Sequence, residues 1–281
     1  MNTIKQIIIG VALITVSVGY IQAAELTGRE IALKMDAVDT SMDGKRTSIM
    51  VINRKGQKLV RKMVSFSKKY GADERRLIKF IEPPDVKGIM YLTWSYEDID
   101  RDDDMWVFLP AESLVRRISG GGKKGSFMRS DFANEDIEIR EVDDDEHNVL
   151  RSEEFSGVDC YVVERIAKKQ KDTSYSKRIV WVRKDIWLPM KTEYYNKRNK
   201  HFKTAIYGGF KEIKGIWTFT KMMAETPGKK SKTMMPYDNV DYNIGLSDAI
   251  FEQSNLKRCG YRKVRPHRWQ KNDALGNRRW D

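Results

Sequence analysis

The chain repeats short runs of β-branched and aromatic residues, at roughly ten-residue spacing, with turn-forming residues between them. No helical segment alternates with these runs, so parallel βαβ units are excluded. The pattern predicts an antiparallel meander of about a dozen strands in one domain. The predicted strands are Arg46–Asn53, Leu59–Ser67, Arg75–Ile81, Ile89–Tyr96, Met105–Leu109, Val115–Ser119, Val149–Phe155, Cys160–Ile166, Lys177–Val182, Pro189–Tyr195, Phe202–Tyr207, Trp217–Met223 and Lys232–Asp238.

Two of these strands are apolar at consecutive positions, namely Ile49–Ile52 and Ile179–Val182. A strand with one face in water alternates apolar and polar residues, so both faces of these strands must be covered. A half-open barrel around an apolar interior meets this requirement, and so does an ordinary β-sandwich with a dry core. The residue pattern alone leaves both architectures open.

One helix is predicted, at Gly28–Val38. Thr27 and Glu30 have the spacing of a capping box, and Ile31, Met35 and Val38 recur at helical intervals. In a half-open barrel, this helix and a segment near Ser126–Asp136 would lie across the opening as a helical lid.

The first residues have the pattern of a secretory signal peptide. Ile7–Ile21 carries no charge, follows Lys5 and precedes the small pair Ala23-Ala24. The run is shorter than the ~20 residues of a spanning helix, which disfavours a permanent anchor. We expect residues 1–24 to be a signal peptide and the mature chain to begin at Ala24 or Glu25. An uncleaved anchor stays open because Gln22 is an imperfect match to the cleavage site.

Cysteine usage leaves two interpretations open. The chain has two cysteines, Cys160 and Cys259. An oxidising compartment would permit them to pair, and closing so long a loop stabilises a fold by up to about 4–5 kcal/mol in the chain-entropy model. The alternative is that Cys160, within the apolar run Val158–Val163, is a buried free thiol.

The sequence offers little catalytic chemistry. The three histidines are far apart and no Cys-x-x-Cys occurs, so no metal site is predicted. Gly120-x-Gly122-x-x-Gly125 lacks the strand and long helix of a dinucleotide site and is interpreted as a solvated loop. The usual settings of hydrolase nucleophiles are absent from the sequence. We therefore expect a protein that is not an enzyme and that needs no cofactor.

A series of motifs in fixed order resembles the outer-membrane lipoprotein-sorting protein family, the LolA-like periplasmic proteins that often accompany exporters of the RND superfamily. The first are Pro83–Gly88, Tyr91–Trp94 and Asp104–Ala111, and the later ones include Ser126–Phe132 and Pro189–Lys191. The resemblance covers nearly all of the mature chain and ends near Leu256. It departs from the family at Arg129, where glycine is expected, and at Ala133-Asn134, where Thr-Tyr is usual.

The resemblance implies a mainly β fold with few helices, an antiparallel incomplete (half) β-barrel with a helical lid, like LolA and LolB. It also implies a non-catalytic carrier of lipid or lipoprotein acyl chains in the periplasm of a Gram-negative bacterium, working with an RND-type exporter. Residues 25–256 would form the single β domain. The residues expected to line the apolar cavity are Met50, Met90, Leu92, Trp94, Trp106, Phe108, Phe127, Met128, Phe132 and Trp181.

Residues 257–281 form a basic tail that extends past the family pattern and is expected to be flexible. Its cations alternate with aromatic residues, a composition that suits an anionic membrane surface or an acidic partner. Nucleic acid is not expected as a partner, because the chain carries an export signal. A merely solvated end is the alternative. The residues proposed for contact are Arg262, Lys263, Arg265, Arg268 and Trp269.

The composition fits this class of protein. The chain has 281 residues, of which 40% are apolar and 33% charged, with a formal net charge of +12. It is too apolar for a disordered chain and too polar for a protein with many membrane spans. The competing functions are a carrier, a non-carrying periplasmic adaptor of an exporter, and an unrecognised hydrolase.

Overall fold

The computed structural model describes residues 25–261. Thirteen strands form one antiparallel sheet, and two more form a separate hairpin. In the large sheet the order is β6-β5-β4-β3-β2-β1-β15-β14-β11-β10-β9-β8-β7. The strands are β1 (Asp43–Arg54), β2 (Gln57–Tyr70), β3 (Asp73–Glu82), β4 (Met90–Ser95), β5 (Asp104–Leu109), β6 (Leu114–Ile118), β7 (Asp145–Phe155), β8 (Val158–Ala167), β9 (Tyr175–Arg183), β10 (Pro189–Asn196), β11 (His201–Gly208), β12 (Lys211–Ile213), β13 (Ile216–Thr218), β14 (Lys221–Thr226) and β15 (Ser231–Tyr242).

The sheet does not close into a barrel. Its two edge strands, β6 and β7, follow each other in sequence but lie at opposite ends of the strand order. The chain between them, residues 119–144, therefore has to cross from one edge of the sheet to the other. This architecture confirms the predicted mainly β, antiparallel incomplete barrel with few helices.

The predicted strand Trp217–Met223 is wrong. The structure divides it into β13 and β14, because the Thr220 amide leaves the strand to donate to the carbonyls of Gly208 at 3.0 Å and Gly209 at 3.2 Å. Strand β12 was not predicted. It pairs with β13 through a tight turn at Lys214 and Gly215, where φ is +50° and +80°.

Helix α1 (Gly28–Asp36) begins at the predicted capping box and ends two residues earlier than predicted. Thr27 Oγ1 accepts from the Glu30 amide, and the Glu30 carboxylate accepts from the Thr27 amide at 2.7 Å. Its buried residue Ile31 packs against β8 and β9 through Val163, Val180 and Val182. The helix therefore covers one face of this half of the sheet, which we call the inner face.

The opposite, outer face of strands β3 to β5 is covered by the chain that follows β15. Phe251 and Leu256, both almost completely buried, pack against Leu77, Leu92 and Phe108. The short helix α2 (Leu256–Tyr261) continues this cover. Strands β3 to β5 are thus covered on both faces, and the consecutive apolar residues Ile179–Val182 are also all buried, as predicted. Within residues 25–261, none of the helices has the length and apolar character to cross a membrane.

Candidate functional site

The segment Ser126–Asp136, here called the lid segment, lies over the inner face of the sheet. It contains two short 3₁₀ turns, Phe127–Arg129 and Asn134–Asp136, and a single β-bridge between Ser126 and Ala133. The amide of Phe127 donates to the carbonyl of Phe132 at 2.8 Å, which folds the segment back on itself. The lid segment is therefore a compact loop that presents two phenylalanines on one side.

Phe127 and Phe132 insert into an apolar cluster on the inner face. Their exposed fractions are 1% and 3%. The Phe127 ring centroid lies 4.9 Å from that of Tyr91 and 5.8 Å from that of Phe80. The strand residues of this cluster are Met50, Ile52, Met63, Ile78, Phe80, Tyr91, Met105, Val107, Ala224 and Met235. The two rings thus lie within the apolar interior of the half-barrel.

The middle of the lid segment is fixed to the sheet at Asp131. The Asp131 carboxylate accepts from the hydroxyls of Ser231 at 2.9 Å and Thr233 at 2.7 Å, both on β15. On the other side, a guanidinium nitrogen of Arg61 on β2 donates to the Met128 carbonyl. Because these polar groups are buried or half-buried, each unpaired partner would cost about 1–3 kcal/mol if the lid segment moved away without replacement contacts.

The end of the lid segment is fixed by Glu135. Its carboxylate accepts from the Thr173 hydroxyl at 2.6 Å and from the Ser174 amide at 2.9 Å. A guanidinium nitrogen of Arg178 on β9 lies 3.5 Å from the same carboxylate, and the two side chains are only 9% and 3% exposed. Glu135 therefore joins the lid segment to β9 inside the protein.

Asp136 makes the second ionic contact. Its carboxylate lies 2.5 Å from Nζ of Lys203 on β11 and accepts from the Tyr175 hydroxyl at 2.9 Å. The Lys203 and Asp136 side chains are 3% and 4% exposed. Burial lowers the pKa of Lys203 despite the neighbouring Asp136 carboxylate, and burial raises the pKa of Tyr175 well above its ordinary value. This pair is buried inside the protein.

Beyond these contacts, the inner face of β8 to β11, here called the ionic half, carries further buried charges beside the valines that α1 covers. The Asp145 side chain is 0% exposed and forms ion pairs with Arg140 and Arg165. Nη2 of Arg165 lies 3.0 Å from Oδ2 of Asp145. Burial alone would raise the pKa of the Asp145 carboxyl, but the two guanidiniums hold it below its usual value. A cavity of about 240 Å³ lies beside this group and is bounded on one side by Met35 of α1.

Two residues of the lid segment have strained backbones. Met128 and Arg129 have φ of +50° and +64°, in the left-handed region that non-glycine residues occupy at a cost of roughly 1–2 kcal/mol each. Arg129 stands where the family resemblance led us to expect glycine. The strained pair directly follows Phe127, in the turn between the two buried phenylalanines.

The structure does not bring the ten predicted cavity residues together. Met50, Phe127, Met128 and Phe132 lie in or against the inner apolar cluster. Trp181 packs on the outer face of the other half of the sheet. The remaining five lie under the chain that covers the outer face, and they are Met90, Leu92, Trp94, Trp106 and Phe108.

The physical reason for this distribution is the two-residue period of a strand. Leu92 and Trp106 are register partners, so their side chains share a face, whereas Tyr91 and Val107 form the next pair and point inward. The indole N–H of Trp94 donates to the Phe251 carbonyl at 2.8 Å, which ties it to the outer cover. A role in ligand binding is therefore retained as a proposal for the inner-face residues.

The remaining predicted residues do not form a site in the described part of the chain. Cys160 is buried, and burial raises the pKa of its thiol. The side chain of Cys259 lies outside the described residues, so a disulfide between the two stays a prediction. Arg262, Lys263, Arg265, Arg268 and Trp269 also lie outside them. Among residues 25–258, no group of three or more His, Cys, Asp or Glu side chains has the geometry to hold a metal ion.

Sequence reasoning missed the ionic half of the inner face. Arg165, Arg178 and Lys203 are charged residues within strands that otherwise carry apolar residues inward. A charge at an inward strand position is costly unless it is paired, and this was the signal available in the sequence. This signal could not be applied to the sequence, because the sequence alone does not show which face of each strand points inward.

Comparison with known proteins agrees with the fold and the motifs. A family model described as an uncharacterized protein matches residues 72–258. A DUF1329 family protein from Desulfovibrio piger is 47% identical, with a TM-score of 0.79, over 82% of this chain and 97% of its own. A putative outer membrane lipoprotein-sorting protein domain from Vibrio parahaemolyticus is 30% identical, with a TM-score of 0.78, over 82% and 98% of the two chains. This chain belongs to the DUF1329 family and to the outer membrane lipoprotein-sorting protein family.

The DUF1329 resemblance extends in fold to more distant proteins. A LolA superfamily protein from Nitrosomonas europaea is 22% identical over 82% of this chain and 99% of its own, with a TM-score of 0.67. None of the curated proteins matches the chain. The family predicted from the ordered motifs is therefore confirmed, and the fold is the one that the family name implied.

Proposed function

We propose that this protein is a carrier that shields acyl chains of lipid or lipoprotein on the inner face of its half-barrel, beneath the lid segment. The observation that supports the proposal is the insertion of Phe127 and Phe132 from a loop, rather than from the sheet, into the inner apolar cluster. Two rings held in place by a loop can leave without unfolding the sheet. An acyl chain would then occupy the same apolar surface.

The energetics are sufficient for such a role. Removing an acyl chain from water contributes about 0.8 kcal/mol per methylene, so a chain of ~14 carbons gives roughly 11 kcal/mol before the costs of binding. The inner cluster includes Met50, Met63, Met105 and Met235, whose flexible side chains adapt to ligands of varied shape. The proposal needs no reaction chemistry, and the chain is proposed to be non-catalytic.

The cellular setting belongs to the same proposal. A signal peptide at residues 1–24 would deliver the mature chain to the periplasm of a Gram-negative bacterium. There it would work with an RND-type exporter in the inner membrane, and the basic tail 257–281 would contact anionic lipid. The Vibrio parahaemolyticus relative is named for outer membrane lipoprotein sorting, which supports this setting.

Extraction of the purified protein with organic solvent, followed by mass spectrometry, tests the proposal directly. A carrier should release a stoichiometric lipid or acylated peptide. An exporter adaptor or a hydrolase should release none, so this measurement also separates the alternative functions.

A pair of phenylalanine variants tests the site. Phe127→Ala removes a ring from the inner face, while Phe251→Ala removes an equally buried ring from the outer face. Both variants should lose about 3–5 kcal/mol of stability at most. Only Phe127→Ala should bind a fluorescent fatty-acyl probe more tightly than the parent, because it leaves apolar space on the inner face. Equal effects of the two variants on probe affinity would refute the inner-face site.

A further inference from the structure

The inner face of the sheet is divided into an apolar half and an ionic half. Strands β1 to β5, β14 and β15 contribute the apolar cluster around Phe127. Strands β8 to β11 instead contribute Arg165, Arg178 and Lys203, and they border the cavity of about 240 Å³. The lid segment reaches both halves, with Phe127 and Phe132 in the first and Glu135 and Asp136 in the second.

The cations of the ionic half belong to the sheet. Arg178 lines the cavity, and among the described residues its closest carboxylate contact is the 3.5 Å approach to Glu135. Burial opposes the charge on Arg178, but the carboxylates of Asp145 and Asp136 and the nearby tyrosines outweigh it and raise its pKa. A guanidinium has five N–H donors, so one long contact leaves most of its capacity available.

Two of the anions that meet these cations belong to the lid segment. Glu135 approaches Arg178, and Asp136 contacts Lys203, whereas Asp145 belongs to the sheet and is shared by Arg140 and Arg165. Glu138, which also lines the cavity, pairs with Lys123 at 2.8 Å. If the lid segment moved away, Arg178 and Lys203 would lose these two carboxylates, and Arg178 would keep the longer-range attraction of Asp145. Breaking a buried ion pair by removing one partner is strongly destabilising, so an anion that takes the place of Glu135 and Asp136 would stabilise an open form.

We infer that the ionic half of the inner face binds an anionic group of the cargo, a phosphate or a carboxylate, and that Glu135 and Asp136 hold the same cations when the protein is empty. The inference rests on the proposed carrier function and names the class of cargo, an amphiphile with an acyl tail and an anionic head. Arg178 and Lys203 are the donors that the lid segment would release to the ligand.

The arrangement couples the two ends of such a ligand. The acyl tail would replace Phe127 and Phe132 in the apolar half, and the anionic head would replace the carboxylates of Glu135 and Asp136 in the ionic half. Each end of the ligand would thus displace one end of the lid segment. A neutral amphiphile of the same length would displace Phe127 and Phe132 but would leave Glu135 and Asp136 in place.

The test compares three ligands that share one tail, namely tetradecyl phosphate, tetradecanoate and tetradecanol, as competitors of a neutral fluorescent acyl probe on the full-length protein. The two anionic ligands should bind at least about tenfold more tightly than tetradecanol, because one hydrogen bond between charged groups increases the affinity by about this factor. Inorganic phosphate is tested alone in the same assay and in thermal melts.

A variant pair assigns the effect to the cavity. Arg178→Gln removes the cation, and Arg198→Gln makes the same charge change in an exposed turn. The anionic preference should fall below about threefold in Arg178→Gln and be unchanged in Arg198→Gln. If Arg178→Gln does not fold, the comparison of the three ligands on the parent protein still tests whether the site prefers an anionic headgroup.

The outcomes separate the inference from the proposed function. Equal affinity of the parent for the three tetradecyl ligands overturns the anionic site and leaves the carrier function intact. Failure of all three to bind overturns the carrier function. Stabilisation by inorganic phosphate at millimolar concentration, lost in Arg178→Gln and without any headgroup preference, would assign the site to free phosphate and overturn its role in cargo recognition.

Discussion

Thr233 and Asp131 make a reciprocal pair: the Thr233 hydroxyl donates to the Asp131 carboxylate at 2.7 Å and accepts from the Asp131 amide at 3.0 Å. Thr233 is completely buried and Asp131 is 9% exposed. The pair joins the middle of the lid segment to β15, near the centre of the sheet. Its strength should therefore influence how readily the lid segment leaves the inner face.

The variant Thr233→Val keeps the shape of the side chain and removes both hydrogen bonds. We expect a loss of about 1–3 kcal/mol in the free energy of unfolding, because Asp131 keeps only Ser231 as a side-chain partner. We also expect faster association of an acyl probe in stopped-flow fluorescence. Thr47→Val is the control, since Thr47 on β1 donates to the Asp238 carbonyl of β15 at 2.7 Å rather than to the lid segment. The interpretation fails if both variants accelerate binding equally.

Helix α1 approaches β7 very closely at Gly28. A Cβ added at this position would lie 2.4 Å from the His147 carbonyl oxygen, which belongs to the backbone and cannot rotate away. Gly28→Ala should therefore destabilise the protein by about 1–3 kcal/mol, measured by urea unfolding. Gly121→Ala serves as control, because a Cβ there meets no atom within 4 Å. An unchanged unfolding midpoint for Gly28→Ala would show that α1 does not rest on β7 as described.

Glu141 gives stability a dependence on pH. Burial, reinforced by Asp36, Asp144, Asp103 and Glu74, raises the pKa of its carboxyl to about 7 from the ordinary 4.5. A raised carboxyl pKa favours the protonated native state, so this contribution is fully present below pH 4.5 and is lost as the pH rises through about 7. Because the side chain is only half-buried, solvent screening limits the loss to about 1 kcal/mol.

The test for Glu141 is the variant Glu141→Gln, which stays neutral at every pH. Its stability relative to the parent should increase between pH 5 and pH 8, as measured by urea midpoints in matched buffers. Glu146→Gln, at an exposed position of β7, is the control and should show no such trend. Parallel pH profiles for the parent and Glu141→Gln would contradict the prediction.

Arg129 offers a test of backbone strain in the lid segment. With φ of +64°, it should be replaced favourably by glycine, which adopts this conformation without a steric penalty. Arg129→Gly should be about 1 kcal/mol more stable than Arg129→Ala, and both variants lose the same exposed charge. Calorimetric melts of the two variants provide the comparison. Equal melting temperatures would mean that residue 129 is not held in the left-handed region.

Much of the fold could be predicted because strands and caps depend on local residue patterns. The consecutive apolar residues Ile49–Ile52 indicated a strand covered on both faces, and the structure has Ile49, Met50 and Ile52 buried. Thr27 and Glu30 located the start of α1 from their spacing alone. The break at Thr220 could not be predicted, because it depends on hydrogen bonds to Gly208 and Gly209 from a distant position in sequence.

The candidate site was harder to predict than the fold. Phe127, Phe132 and Trp94 were all expected in one cavity because their motifs resemble the family. The structure places Phe127 and Phe132 on the inner face and Trp94 on the outer face, and a role in ligand binding stays a prediction. The sequence of a strand tells which residues share a face and does not tell which face is the interior. Which face becomes the interior depends on the segments that pack on the sheet, here the lid segment on one face and the chain around Phe251 on the other. Prediction of the ionic half would also have required knowing which face of strands β8 to β11 points inward.

The position of the lid segment in the connection between β6 and β7 limits how the protein can admit a ligand. Each end of residues 119–144 is attached to a strand at an opposite edge of the sheet, so the segment is a strap rather than a flap with one free end. A strap opens by bowing outward, and the gap it makes is bounded by its own length. If the protein carries the proposed cargo, a bulky molecule would have to pass beneath this segment from the side, which would favour molecules with at least one thin, flexible end.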